Sequence, residues 1–402
     1  MKDRLPLTFI MVTLIIDAMG IGLVLPVMPD LIEEVSGGNL AEAALWGGIL
    51  STSFAVMQFL FGPFLGSLSD RFGRRPVLLV SLLVMSLDYL VIALAGSIWV
   101  LLAGRIVGGI AASTQSTATA FVADISTPAQ KAARFGMVGA SFGVGFVLGP
   151  LLGGVLAEYG TRAPFYMASV LAALNLCFGY FILPETVTDR IRRPFSWVRA
   201  NPLGALLDLG RMEGVTRLVL MFFLYQVAFF VYPAIWAYFT KARFGWNPQM
   251  VGLSLAFFGI ALALVQGWLI RYILRWLGDR GTVIYGLIFN SIAFILLAFV
   301  TSGTVALILT PLAALGAVVT PALQGIMSRT IPDNAQGGLQ GLLTSAGALA
   351  MIVSPLMMTQ VFWLATADST PFYLPGAPFL LSMLLLVACA FVFLTRRRKP
   401  AA

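Results

Sequence analysis

The sequence predicts an all-α membrane protein of twelve transmembrane helices in two pseudo-symmetric six-helix bundles, and three observations carry that prediction. Hydrophobic residues make up 59% of the 402 positions and charged residues only 10%, too little charge to solvate a water-facing globule of this size. Apolar runs of about 20 residues, the length that crosses a bilayer, recur along the chain. Glycines and a proline also recur near half the chain length in matching contexts, the mark of a duplicated unit.

The predicted spans are 5–27, 45–68, 77–95, 98–122, 136–157, 163–183, 215–240, 250–272, 282–302, 304–326, 337–363 and 376–395. The first is long and is followed by Pro26 and Pro29 without a small-residue cleavage pattern, so it reads as a retained helix rather than a cleaved signal. Only Ala95, Gly96 and Ser97 separate the third and fourth spans, and only Ser302 and Gly303 the ninth and tenth; each pair reads as a tight outer hairpin. The fourth carries Ser113, Thr114, Gln115, Ser116, Thr117 and Thr119, too polar a run to face lipid on every side, although small polar residues also serve as packing devices. In the seventh, Gln226 precedes Phe229, Phe230, Tyr232, Pro233 and Trp236, where Pro233 predicts a kink. The aromatics fit a cavity wall, interface anchors or core packing equally well.

At an offset of 205, Gly62 meets Gly267, Gly73 meets Gly278, Gly136 meets Gly341 and Pro150 meets Pro355. Pro150 and Pro355 each interrupt a small-residue helix, the fifth and eleventh, and Gly73 and Gly278 each fall in the basic loop after an even-numbered span. The expected domains are residues 1–183 and 215–402, joined by a linker at 184–214. Parallel repeats about an axis normal to the membrane suit alternating access, because a cavity between the halves opens to either side by rocking.

Of the 25 basic residues, all but Arg105, Arg162, Lys241 and Arg243 fall on the side that also holds both termini. That side takes Lys2 and Arg4, Arg71, Arg74 and Arg75, Lys131 and Arg134, the linker arginines Arg190, Arg192, Arg193, Arg199 and Arg211 with Arg217, then Arg271, Arg275 and Arg280, Arg329, and Arg396 to Lys399. The positive-inside rule puts both termini in the cytoplasm. The formal charge of +8 therefore orients the chain and meets anionic lipid; a nucleic-acid stripe would not be divided among separate loops on one face.

Histidine is absent, which excludes imidazole bases, histidine metal ligands and triads that depend on imidazole. The two cysteines, Cys177 and Cys389, sit in apolar runs and offer neither a disulfide framework nor a thiolate metal site. Glycine-rich stretches such as Gly139-Ala140-Ser141-Phe142-Gly143 lack the Lys-Ser/Thr of a phosphate loop, which argues against ATP-driven transport. No enzymatic site is expected.

Ionisable residues at lipid depth are costly and seldom accidental. At 1.5 Å per residue Asp17 lies about 18 Å into the first span, near the midplane. Asp88 lies slightly past the middle of the third span, and Arg105 about 10 Å into the fourth. Withdrawal from water favours a protonated carboxyl and a nearby cation favours the ionised form, so these three are the candidates for proton coupling. A structural ion pair joining the third and fourth helices is the alternative for Asp88 and Arg105. Gln58, Gln115, Gln226, Gln266, Asn290 and Gln324 are uncharged candidates to line a substrate site, with Gln340 a further one.

Gly66-Ser67-Leu68-Ser69-Asp70-Arg71-Phe72-Gly73-Arg74-Arg75, Arg105-Ile106-Val107-Gly108-Gly109 and Gly145-Phe146-Val147-Leu148-Gly149-Pro150 together resemble the motifs of the major facilitator superfamily. Asp17-Ala18-Met19-Gly20-Ile21-Gly22, Ser86-Leu87-Asp88-Tyr89, Arg243-Phe244-Gly245-Trp246-Asn247 and Pro321-Ala322-Leu323-Gln324-Gly325 are similar to segments of its tetracycline-resistance exporters, which are twelve-span drug:proton antiporters. The resemblance implies a cytoplasmic charge lock of Asp70, Arg71 and Arg74 with the other half of the chain, with Asp124 as the usual acidic companion, and gating through Gly145, Gly149 and Pro150 in an antiporter motif. It also implies a bacterial inner-membrane monomer that meets a small-molecule substrate, protons and lipid. No cofactor is called for; a divalent cation is expected only as a complex with the substrate. The exporters place a histidine in the eighth span, where Leu262 stands here, and an aspartate in the ninth, where Asn290 stands. Coupling is then expected to run through Asp17, Asp88 and Arg105, in the export of an amphipathic drug, tetracycline-like in the first instance, with an endogenous metabolite or a different class of drug as the alternative cargo.

Overall fold

The computed structural model describes residues 4–112, 114–188, 192, 195, 201, 202, 204, 215–332, 335–368 and 370–395. Ser113 and the basic residues Lys2, Arg190, Arg193, Arg199, Arg211 and Arg396 to Lys399 lie outside them. The described residues form helices and no strand. Eleven helical runs are long and apolar enough to cross a membrane. They account for twelve spans because the predicted eighth and ninth form one run, Pro248–Phe299, interrupted at Gly278. There the backbone turns to φ 63°, a region open to glycine at little cost.

The chain divides into two compact units, Met1–Gly204 with Gly245–Gly259, and Ala205–Phe244 with Ile260–Ala402. The first contains α1 (Arg4–Val24), α2 (Met28–Ser36), α3 (Leu40–Phe72), α4 (Arg74–Leu94), α5 (Ile98–Ala111), α6 (Thr114–Asp124), α7 (Pro128–Leu156) and α8 (Ala163–Ile182). Here α1 packs on α7 and α8, α3 on α5, and α4 on α8. The second contains α9 (Thr216–Phe229) and α10 (Val231–Phe244); α11 (Pro248–Leu264) begins in the first unit and runs into the second. It continues with α12 (Ile270–Phe299), α13 (Gly303–Ala313), α14 (Val319–Thr330), α15 (Gln336–Thr366) and α16 (Ala377–Leu394). Its pairings, α9 on α16, α10 on α15 and α12 on α16, repeat those of the first span with the sixth and fifth and of the third with the sixth.

Local chemistry explains where the elements differ from the simple span pattern. The segment after the first span is not a loop but the short helix α2, started by Pro29 and closed by Gly37, whose φ of 67° and N–H to the Glu33 carbonyl form a left-handed cap. The seventh span breaks at Phe230, between α9 and α10, rather than at Pro233 itself. Proline lacks an N–H and its ring crowds the carbonyl four residues back, that of Phe229, so the disturbance falls one turn upstream. The two short hairpins are built alike: Ser97 accepts from the Val100 N–H and Ser302 from the Val305 N–H, each starting the next helix.

Phe9, Leu14, Leu78, Leu82, Phe121 and Val138 form an apolar core in the first unit, joining α1, α4, α6 and α7. In the second, Tyr232, Trp236, Phe239, Phe294 and Phe379 are buried together, with Phe239 and Phe379 edge to face at 5.0 Å between centroids. Tyr232 and Trp236 thus serve as core aromatics here.

Candidate functional site

Asp88 and Arg105 pair where α4 packs on α5. Arg105 Nη2 on α5 meets Asp88 Oδ2 on α4 at 3.2 Å, and the guanidinium also stacks on the Phe54 ring of α3 at 5.4 Å. Glycines make the pairing possible. A Cβ at Gly104 would lie 2.9 Å from Asp88 Oδ1, and one at Gly108 would lie 2.5 Å from Asp88 Oδ2, so this stripe of α5 is the floor on which the carboxylate rests. Asp88 Oδ1 is buried without a hydrogen-bond partner. An unsatisfied carboxylate oxygen in such a place is expensive, and it is also a free acceptor for a proton or a ligand donor.

Asp17 makes no ion pair among the described residues and is half-buried on α1. Tyr89, the neighbour of Asp88, is buried within electrostatic range of Asp17, Asp88 and Arg105. Its hydroxyl occupies the space over Gly20, where a Cβ would lie 2.5 Å away. Tyr89 was not among the residues expected at the site; the sequence signals for it were its place beside Asp88 in the exporter-like segment Ser86-Leu87-Asp88-Tyr89 and the bare Gly20.

At the end of α3, three of the four residues expected in a charge lock, Asp70, Arg74 and Asp124, come together within the first unit. Arg74 pairs with Asp70 at 2.6 Å and with Asp124 at 3.2 Å, and its Nη1 donates to Ser69 Oγ at 2.5 Å. Arg71 stands apart, its guanidinium over the Phe72 ring at 5.1 Å. A second residue that sequence reasoning missed, Glu185, accepts from the backbone N–H groups of Arg74 and Arg75 at 2.9 and 3.2 Å, capping α4 from across the unit. Gly73 is required twice over: its φ is 111°, and the Glu185 carboxylate fills the space a Cβ would take. Thr186 Oγ1 donates to Asp124 at 3.1 Å, so the chain after α8 is tied to both acidic and basic members of the cluster.

The amide candidates separate. Gln58 Nε2 donates to the Ala112 carbonyl at 3.1 Å and Gln266 Nε2 to the Ala317 carbonyl at 3.2 Å. Asn290 is fully buried; its Nδ2 donates to Gly316 O at 2.9 Å and to Tyr225 Oη at 3.1 Å, while Oδ1 has no partner. Gln226 accepts from Thr320 Oγ1 at 3.1 Å. Gln115 is exposed and Gln324 half-buried. Gly145, Gly149 and Gly153 lie on the carbonyls of Ile15, Met19 and Leu23 of α1, and the ring of Pro150 rests on Gly22. No group of three or more acidic or thiol ligands suited to a metal occurs among the described residues.

A family model described as Major Facilitator Superfamily matches residues 10–355. The class C tetracycline resistance protein of Escherichia coli is 41% identical over 362 residues, covering 90% of this chain and 91% of its own. The crystal structure of the human organic anion transporter MFSD10 (TETRAN) superposes with a TM-score of 0.71 at 27% identity, over 97% of this chain and 99% of that one. The nucleoside transporter NupG shares the fold alone, with a TM-score of 0.76 at 12% identity over 97% and 100% of the two chains. With glycine-floored charges in its spans, a charge cluster at Asp70, and matches along nearly its whole length, the chain belongs to the Major Facilitator Superfamily and is a membrane transport protein related to the tetracycline-resistance efflux pumps.

Proposed function

We propose that this protein is a proton-coupled antiporter that exports an amphipathic small molecule by alternating access, from a bacterial inner membrane and with both termini in the cytoplasm. The observation that carries the reading is the Asp17, Asp88, Tyr89 and Arg105 group: an unpaired carboxyl at membrane depth beside an ion pair with one oxygen still free. Proton and cargo would compete for that negative charge.

The relatives' names suggest a tetracycline-like cargo. A second reading, a different class of drug or an endogenous metabolite, is favoured by a specific observation. Asn290 spends its amide on a carbonyl and a phenol, and Leu262 cannot titrate, so the second half offers no ionisable group where the exporters have two. The test is a panel in proteoliposomes with an imposed proton gradient: tetracycline with and without Mg2+, other amphipathic cations, and organic anions. Gradient-driven tetracycline flux supports the first reading; flux of another compound alone supports the second. If no member moves against its gradient, coupled export is refuted for these classes.

Asp70, Arg74 and Asp124 are proposed to regulate switching rather than to select the cargo, because the cluster lies at the helix ends rather than at membrane depth. Asp70→Asn should lower turnover while leaving ligand affinity on the purified protein nearly unchanged, as a charge lock that closes one access state would require. A large loss of affinity with normal switching would contradict that assignment.

A further inference from the structure

The fourth and tenth spans are broken, each at an alanine of like backbone geometry, the tenth after a 3-10 turn at Ala314–Gly316. Between α5 and α6, Ala112 leaves the helical region at φ −72°, ψ 42°; between α13 and α14, Ala317 does so at φ −76°, ψ 26°. In each break the alanine N–H bonds three residues back, Ala112 to Gly109 O and Ala317 to Ala314 O, a tightened turn in place of the normal helical bond. Ala112 and Ala317 are 205 positions apart, the spacing of the Ser97 and Ser302 caps that start the two spans. A break frees carbonyls from the helical ladder, and at membrane depth each needs a donor.

In both halves the donor is a glutamine from the span two places earlier. Gln58 on α3 supplies Ala112 O, and Gln266, in the π-helical turn Val265–Leu269, supplies Ala317 O. The glutamines are 208 positions apart, and so are Asn39 and Asn247, whose side chains accept from the Glu42 and Met250 N–H groups at the start of the same two spans. In that frame Gln58 and Gln266 are equivalent residues. Donor type, acceptor position and backbone bend are therefore all duplicated. The second half adds Asn290, which takes the carbonyl just before, Gly316 O.

We infer that Gln58 and Gln266 are a symmetric pair of positioning residues that latch the breaks in the fourth and tenth spans and thereby set the rate of switching, rather than contacting the cargo. Each latch ties the bend of one span to the position of another in the same half. A hinge held by one side-chain donor in the first half and two in the second can open at modest cost and close again, which suits a helix that changes its bend during the cycle. The inference goes beyond the proposed export and does not depend on the identity of the cargo.

The test uses Gln58→Met and Gln266→Met, which keep length and volume but remove the donor, in the full-length purified protein. Hydrogen–deuterium exchange reads the breaks directly. Gln58→Met should speed exchange around Ala112 about five- to thirtyfold without affecting Ala317, and Gln266→Met should do the reverse. Single-molecule FRET between labels at Thr127→Cys and Thr330→Cys, in a Cys177→Ser background, reads switching; each variant should shorten the dwell in the latched state by a similar factor. Unchanged exchange at both breaks overturns the latch. Faster exchange with unchanged dwell times reduces the glutamines to structural bonds and overturns the switching role. Because the device is duplicated, a variant that fails to fold in one half leaves the other half as the deciding test.

Discussion

Asp17→Asn should reduce concentrative, proton-driven transport to the level of protein-free liposomes while leaving the protein folded and able to bind some cargo. The substitution is nearly isosteric, and Asp17 makes no ion pair among the described residues whose loss would strand a buried charge. What it removes is the one carboxyl of the first span, the group proposed to exchange a proton for a cation. Asp88 does not replace it, because one of its oxygens is already held by Arg105 at 3.2 Å. The second half offers no aspartate or glutamate in its spans. A cationic drug or a metal-chelated compound arriving from the cytoplasm and a proton arriving from outside would compete for the same negative site, with Asp88, Tyr89 and Arg105 setting its environment. Simultaneous measurement of ligand and proton flux for wild type and variant decides the matter. Undiminished coupled flux in Asp17→Asn would transfer the proton site to Asp88 or force a uniport reading.

The charges of this site were legible in the sequence because lipid makes them conspicuous: Asp88 and Arg105 stand in apolar runs at depths that let them share a layer, and they pair. Tyr89 and Glu185 were not. A tyrosine in a span is ordinary, and the importance of Tyr89 depends on Gly20 leaving room for its hydroxyl on another helix. Glu185 acts on backbone N–H groups of residues 110 and 111 positions away, a relation that no spacing rule exposes. The twelve spans follow from hydropathy alone, yet hydropathy does not mark the break at Ala317, which small apolar residues form, and the polar run that follows Ala112 reads equally as a packing face. Gln58, Gln266 and Asn290 were expected to line a substrate site; Asn290 is buried, Gln58 half-buried and Gln266 exposed. Their partners are main-chain carbonyls, which carry no sequence signature, so a ligand-facing role and a backbone-facing role looked the same until the helices were in place.

Gly149→Ala should be among the most damaging small substitutions in the chain, whereas Gly143→Ala, less than two turns away on the same helix, should be tolerated. A Cβ at Gly149 would lie 2.5 Å from the Met19 carbonyl oxygen and 2.7 Å from Gly22 Cα, both on α1. Those are backbone atoms, so no rotamer change can make room, and α1 must move off α7. Gly145 and Gly153, four residues to either side, meet the Ile15 and Leu23 carbonyls in the same way, so the displaced face is the stretch of α1 that carries Asp17. Overpacking of this kind costs about 1–3 kcal/mol, and more where backbone is the obstacle. At Gly143 nothing lies within 4 Å of the added carbon, and alanine there gains up to about 1 kcal/mol of helix propensity. Thermal unfolding of the two variants in detergent should therefore shift in opposite directions, and proton-driven flux should be lost in Gly149→Ala alone. Equal melting temperatures and equal flux would mean that α1 and α7 separate without consequence, and the glycine stripe would lose its assigned role in holding Asp17 in place.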